Sequence, residues 1–129
     1  MRVLVDTHTW LWMLADPDRL PVRAAAVVGD PATQVLVSAA SAWEIAIKYE
    51  LGRLPLPEPP ASFVPTRMRA SGCDPLPVDH GHALAAGALP PLHRDPFDRL
   101  LIAQARHLRV PLCSGDRAIE AYDVDLLWA

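Results

Sequence analysis

The sequence predicts an α/β protein whose short, mainly parallel sheet carries helices on both faces. Three observations point there. Short apolar runs recur along the 129 residues, and each is followed by a longer helix-like stretch, the alternation that builds parallel sheets. Turn residues punctuate the junctions, with fourteen prolines in the chain. An acid (Asp6, Glu44, Asp98 or Asp116) stands where an apolar run passes into a helix-like stretch. In an open α/β sheet such junctions gather along one edge, outside the carboxyl ends of the strands, where ligands bind.

The elements follow in order. Arg2 to Asp6 reads as a buried strand, and Thr7 to Ala15 as a helix ended by Asp16-Pro17-Asp18. Pro21 to Gly29 is a second helix with proline in its first turn, where proline is tolerated. Gln34 to Ser38 is a strand, and Ala39 to Leu51 a long helix stopped by Gly52, a common C-terminal signal. Leu54 to Pro60 is a proline-rich loop, and Phe63 to Ser71 is helical despite Pro65. Pro75 to Val78 is a third strand, and Asp79 caps a helix from His80 to Leu89 that Pro90-Pro91 closes. Pro96 to Leu108 is the clearest helix, followed by a strand at Val110 to Cys113, a short helix at Asp116 to Tyr122 and a last strand at Val124 to Leu127. The length suits one domain spanning residues 1–129, and no internal repeat divides it.

Composition narrows the function classes. Hydrophobic residues make up 51% and charged residues 21%, as in a soluble globular chain. No apolar run approaches the roughly 20 residues that span a bilayer, and the N-terminus lacks the sections of a signal peptide, so a cytoplasmic protein is expected. Cys73 and Cys113 stand apart with no CxxC neighbour, which fits reduced thiols. The formal net charge of −3 argues against a generic polyanion binder, so any nucleic-acid role needs local basic groups or a metal. Lys48 is the only lysine.

Each acid has a structural reading beside a chemical one. Asp6 is a favoured helix N-cap. Ser41-Ala42-Trp43-Glu44 fits the S-x-x-E capping box, yet Glu44 is the lone acid in an otherwise apolar stretch, with Lys48 one turn on as a partner. Asp95, Pro96 and Asp98 fit the N-cap, first and third positions of a helix. Asp98 also shares a stripe with Leu101, Ile102, Ala105 and Leu108, so it should face the sheet edge. Asp116 follows Ser114-Gly115 in a turn-forming sequence. Four acids at one edge repel one another, and some must hold protons unless a cation joins them. A divalent metal resolves that conflict, and a carboxylate-held metal suggests phosphodiester chemistry. His80, His82, His93 and His107 do not stand at metal-ligand spacings. Arg94 and Arg99 flank Asp98 and read either as a solvated helix face or as phosphate contacts. Trp10, Trp12 and Trp43 read as core or dimer contacts, or as bases' stacking partners.

With these residues assembled, the chain resembles the PIN-domain ribonucleases, specifically the VapC toxins of type II toxin–antitoxin pairs. The matching blocks are Leu4-Val5-Asp6-Thr7-His8-Thr9, the run Ser38 to Lys48 with its Trp43-Glu44-Ile45-Ala46-Ile47-Lys48 string, and His93 to Ala105 with Asp95-Pro96-Phe97-Asp98-Arg99-Leu100-Leu101. Ser114-Gly115-Asp116 and Tyr122-Asp123-Val124 also fit. The resemblance implies a three-layer α/β/α sandwich and a metal-dependent endoribonuclease that cuts transfer or ribosomal RNA. It implies that Asp6, Glu44, Asp98 and Asp116 hold Mg²⁺ or Mn²⁺, supported by Ser114 and Thr7; the charge of Arg94 and Arg99 beside that acidic pocket makes them the candidate substrate contacts. It further implies a homodimer blocked by a cognate VapB-type antitoxin, with no membrane. A non-toxin PIN-domain RNA-processing nuclease and a non-catalytic acidic-site binding module are the rival readings. A receiver-like phosphoacceptor would need a lysine near the last strands, and Lys48 lies in an early helix.

Overall fold

Val3 and Val5 face one side of a sheet and Leu4 faces the other, and both sides are buried. The computed structural model describes residues 1–128. Among them the chain forms β1 (Arg2–Val5), α1 (Thr7–Ala15), α2 (Val22–Val28), β2 (Gln34–Ser38), α3 (Ala39–Glu50) and α4 (Pro60–Ser71). β3 (Asp74–Leu76), α5 (His80–Ala88), α6 (Pro96–Leu108), β4 (Leu112–Cys113) and β5 (Leu126–Leu127) complete it, with 3₁₀ turns at Pro17–Arg19 and Arg117–Ala121. All the strands are parallel, in the order β3-β2-β1-β4-β5.

Alternation along the strands sorts the core into two layers. Val3, Val5, Val35, Val37 and Cys113 bury against Trp10 of α1, Ala24 of α2, Ile45 of α3 and Phe63 of α4. Leu4, Leu36 and Leu112 bury against Ala86 of α5, Leu101, Ile102 and Ala105 of α6, and Ile119 and Tyr122. The result is the three-layer α/β/α sandwich that the resemblance implies. No helix among the described residues is long and apolar enough to cross a membrane.

Several boundaries differ from the sequence reading, each for a local reason. The strand expected from Val110 begins only at Leu112. Arg109 turns left-handed (φ 56°), and the Val110 N–H goes back to Ala105 O to close α6. The expected helix from Asp116 is a 3₁₀ turn over Arg117–Ala121. α4 starts at Pro60 rather than Phe63 and continues through Pro65, where the Thr66 hydroxyl donates to Ser62 O (2.6 Å) within the turn that the proline interrupts. The capping box read at Ser41–Glu44 does not form. Ser38 caps α3 by accepting from Ala40 N–H, which leaves Ser41 and Glu44 inside the helix and buried.

The crossover from β3 to β4, through α5 and α6, carries the chain to the other side of β1. The switch in strand order therefore falls at the β1/β4 pair, and a crevice opens beyond its carboxyl ends. The segment between α5 and α6 is tied down beside it. Tyr122 Oη donates to Pro90 O (2.7 Å) and accepts from His93 N–H (2.8 Å). Arg99 donates to the carbonyls of Pro90 (3.0 Å), Ala86 (2.9 Å) and Leu89 (3.0 Å). This corrects the expectation that Arg99 contacts substrate: its guanidinium is a clamp on the chain's own backbone. Arg99→Ala is expected to lower stability by about 2–3 kcal/mol, because charged hydrogen bonds to partly buried carbonyls are lost. Urea unfolding of the variant measures this, and Arg99→Lys should restore only part, since one ammonium cannot reach all three carbonyls.

Candidate metal centre

The four acids occupy the crevice edge, each positioned by a different element. Asp6 leaves β1 and caps α1, its Oδ1 accepting from Thr9 N–H (2.8 Å). Its own N–H donates to Cys113 O (3.1 Å), and the Thr9 hydroxyl donates to the same carbonyl (3.1 Å). These bonds fasten the end of β1 to the end of β4 and set Asp6 beside the Ser114-Gly115-Asp116 turn. Ser114 is fully buried, and its Oγ accepts from Asp116 N–H (3.1 Å). Asp116 Oδ1 accepts in turn from Ala118 N–H (3.0 Å), so it caps the 3₁₀ turn. Gly115 is required by a close approach, since a Cβ there would lie 2.8 Å from the Trp128 ring.

Glu44 is 3% exposed on α3. Its Oε1 accepts from the Thr7 hydroxyl (2.6 Å), which also pairs with Ser41 Oγ (2.9 Å), and its Oε2 accepts from Lys48 Nζ (2.5 Å). The Lys48 partnership appears as the sequence suggested, and the Thr7 hydroxyl contacts Glu44 from the start of α1. Asp95 caps α6 by accepting from Phe97 N–H (2.9 Å), and Asp98 stands in the first turn.

The electrostatics show how crowded the edge is. Burial pushes the Asp98 carboxyl up to about 7, and the negative charges of Asp95, Asp6 and Glu44 add to that against the opposing pull of His93. Burial also acts to raise Asp116. The His93 hydrogen bond, the Ala118 N–H and the charges of His93 and His8 outweigh it and hold this carboxyl below its ordinary value. The Cys113 thiol, raised to about 12 by burial and then by Asp6, is no nucleophile.

His93 is the site residue that sequence spacing missed. Its Nε2 lies 2.7 Å from Asp116 Oδ2 and 3.2 Å from Asp98 Oδ2. Polar atoms of His93, Asp98 and Asp116 all fall within 4.8 Å of one another. Sequence spacing gave His93 no metal-ligand pattern, and the fold brings it to the acids all the same. Among the described residues only these three form such a tight group. Asp6 and Glu44 make themselves felt at Asp98 through their charge. No sequence periodicity could find His93, because it sits in a loop; the one cue was its place just ahead of the Asp95 cap. Trp43 is 63% exposed beside Glu44 and meets Phe97 edge-on at 5.4 Å between centroids, at the rim next to Asp98. Trp10, by contrast, is wholly buried against Phe63. Arg94 is exposed on the same approach segment.

Hard carboxylate oxygens suit a divalent cation such as Mg²⁺ or Mn²⁺, and the upward push on Asp98, from burial first and then from its neighbours' charge, is what a cation would relieve. Comparison with known proteins agrees with the geometry. A family model described as "PIN domain" matches residues 3–125. Ribonuclease VapC16 of Mycobacterium tuberculosis is 63% identical over 73 residues, 51% of this chain and 52% of that protein, so the matched stretch spans about half the relative's length. Ribonuclease VapC22 of the same organism is 32% identical over 121 residues, 93% of this chain and 91% of that protein. Among solved structures, VapBC2 from Rickettsia felis bound to a DNA fragment from its promoter shares the fold with a TM-score of 0.72 at 13% identity, over 100% of both chains.

The raised Asp98 carboxyl sets a pH dependence. Its folded value is above its unfolded one, so the metal-free folded state holds an extra proton between about pH 4 and pH 7. The stability from this group is complete at the acid end of that window and is lost as pH rises through about 7. Without divalent cations the melting temperature should therefore fall from about pH 6 to about pH 8, and Mg²⁺ should raise it more at the higher pH. Asp98→Asn should flatten both trends in thermal melts.

Proposed function

The chain belongs to the PIN domain family, among the VapC ribonucleases, and on that premise we propose that it is the toxin of a type II toxin–antitoxin pair, a metal-dependent endoribonuclease. The observation that carries this reading is the crowded edge itself: Asp98 and Asp116 gathered with His93 at the β1/β4 crevice, and Asp98 driven to about 7 by burial and by the charges of Asp95, Asp6 and Glu44.

In this reading Asp6, Asp98 and Asp116 hold Mg²⁺ or Mn²⁺ directly or through water, and Glu44 completes the cluster. A cation held there would supply Lewis acidity toward a phosphate oxygen and would make a nearby water more acidic as the nucleophile. The protein's own groups do the rest. Thr7 and Lys48 engage both oxygens of Glu44, so its charge is held in place. Ser114 fixes the Asp116 backbone, and the Thr9 bridge to Cys113 keeps Asp6 opposite it. Arg94 stands free at the rim to meet substrate phosphates. Trp43 offers a ring face to an unstacked base, since single-stranded RNA is gripped by aromatic stacking. The substrate is RNA in the cytoplasm, a transfer or ribosomal RNA by likeness to the family. The protein acts as a homodimer whose site a VapB-type antitoxin covers; the Rickettsia felis VapBC2 structure supports the pairing.

Asp6→Asn and Asp116→Asn separate the chemical reading from the capping one, because Asn caps helices about as well as Asp. Both variants should fold and melt near the wild-type temperature, with Mg²⁺-dependent RNA cleavage down by about 100-fold or more. Wild-type cleavage rates in either would refute the assignment. Trp43→Ala should raise KM for single-stranded RNA by roughly 5- to 100-fold, from a stacking loss of about 1–3 kcal/mol, with kcat nearly unchanged in steady-state assays.

A further inference from the structure

One imidazole nitrogen and two carboxylates within 4.8 Å have the look of a mixed nitrogen–oxygen metal site, the kind that suits transition metals. The hydrogen bonds around His93 say otherwise. The loop is pinned on both sides of the residue. Its N–H donates to Tyr122 Oη (2.8 Å), and its carbonyl lies 3.4 Å from the Arg99 guanidinium. The side chain is only 11% exposed, so the ring has a fixed seat. In that seat Nδ1 accepts from the backbone N–H of Asp95 at 3.1 Å. A backbone N–H can only donate, so Nδ1 must present its lone pair, and the proton of the neutral ring resides on Nε2. A nitrogen that carries a proton has no lone pair for a metal. It has a hydrogen to donate, and it faces Oδ2 of Asp116 at 2.7 Å and Oδ2 of Asp98 at 3.2 Å. Ionised carboxylates can only accept.

We propose that His93 is a positioning residue: its Nε2–H, fixed in that tautomer by the Asp95 backbone, draws Asp98 and Asp116 together and stays on them when a divalent cation binds. The cation then meets oxygen and not imidazole, which favours hard ions such as Mg²⁺ over zinc-like ones. Asp95 gains a second task. Its carboxylate caps α6 while its N–H sets the histidine that orders Asp98. The proposal rests on the reading of the acids as a metal site.

The test uses the full chain with nitrogen-15-labelled histidine. Long-range proton–nitrogen correlation spectra distinguish a protonated ring nitrogen from a bare one. At about pH 8, His93 should show a bare Nδ1 and a protonated Nε2 both without and with saturating Mg²⁺. Calorimetric titration with Mg²⁺ gives the second readout. His93→Ala should weaken binding by about 10- to 100-fold, the usual effect of removing a group that orients a ligand. His93→Gln, whose amide N–H can donate to the same oxygens, should recover most of it. A proton that moves to Nδ1 on adding Mg²⁺, or a His93→Ala chain that binds Mg²⁺ as tightly as the wild type, overturns this proposal alone. A wild-type chain that binds no Mg²⁺ overturns it together with the metal reading beneath it. The spectra of the wild-type chain decide the tautomer even where a variant fails to fold.

Discussion

Negative charge crowded into a half-buried crevice is the constraint around which this molecule is organised. The β1/β4 switch point places Asp6 and Asp116 at one edge, α6 brings Asp98 there, and α3 brings Glu44. In water such groups would repel weakly, but burial strengthens every pairing and penalises every charge. The strain surfaces at Asp98, the carboxyl whose ordinary ionisation is most disturbed upward. The surrounding groups answer it with donors. Helix and turn N–H groups reach Asp6 and Asp116, a hydroxyl and an ammonium reach Glu44, and an imidazole N–H reaches Asp98 and Asp116.

Capping and metal binding are therefore not competing explanations here. Asp6 gives one oxygen to the first turn of α1, and Asp116 gives one to the turn that follows it. The helix-terminal N–H groups stabilise the carboxylates and aim them, while the remaining lone pairs stay available to the crevice. The same economy recurs behind the site. Ser38 caps α3 and donates to buried Gln104 (2.6 Å), whose amide nitrogen reaches Pro77 O (3.1 Å). That bridge ties α6, and with it Asp98, to the end of β2 and the segment after β3.

The loop ahead of α6 shows what supporting bonds accomplish. Proline-rich segments without partners are free to move, yet Tyr122 and Arg99 hold Pro90 to His93 by four hydrogen bonds to three of its backbone groups. An arginine flanking an acid at the crevice invites a substrate role by charge alone. In the fold its guanidinium faces inward carbonyls, while Arg94 on the same segment is exposed.

Strand and helix order, the parallel sheet and the junction places of Asp6 and Asp116 were legible in the sequence, because apolar runs, caps and prolines act within a few residues of themselves. α1, β2 and α6 fall at the boundaries their patterns suggest, and Asp79 and Asp95 cap where they should. The late start of β4 and the inward turn of Arg99 were not legible, since each depends on a hydrogen bond to a group that local propensity does not weigh. His93 is the sharpest case. Its sequence position relates it to Asp98 but says nothing of Asp116, and only the crossover from β3 to β4 brings the two acids to either side of one imidazole. The sequence by itself determined which side chains carry charge and where most of the helices begin. Tertiary structure alone decided which of those charges share a donor, because that depends on distances between segments that nothing along the chain encodes locally.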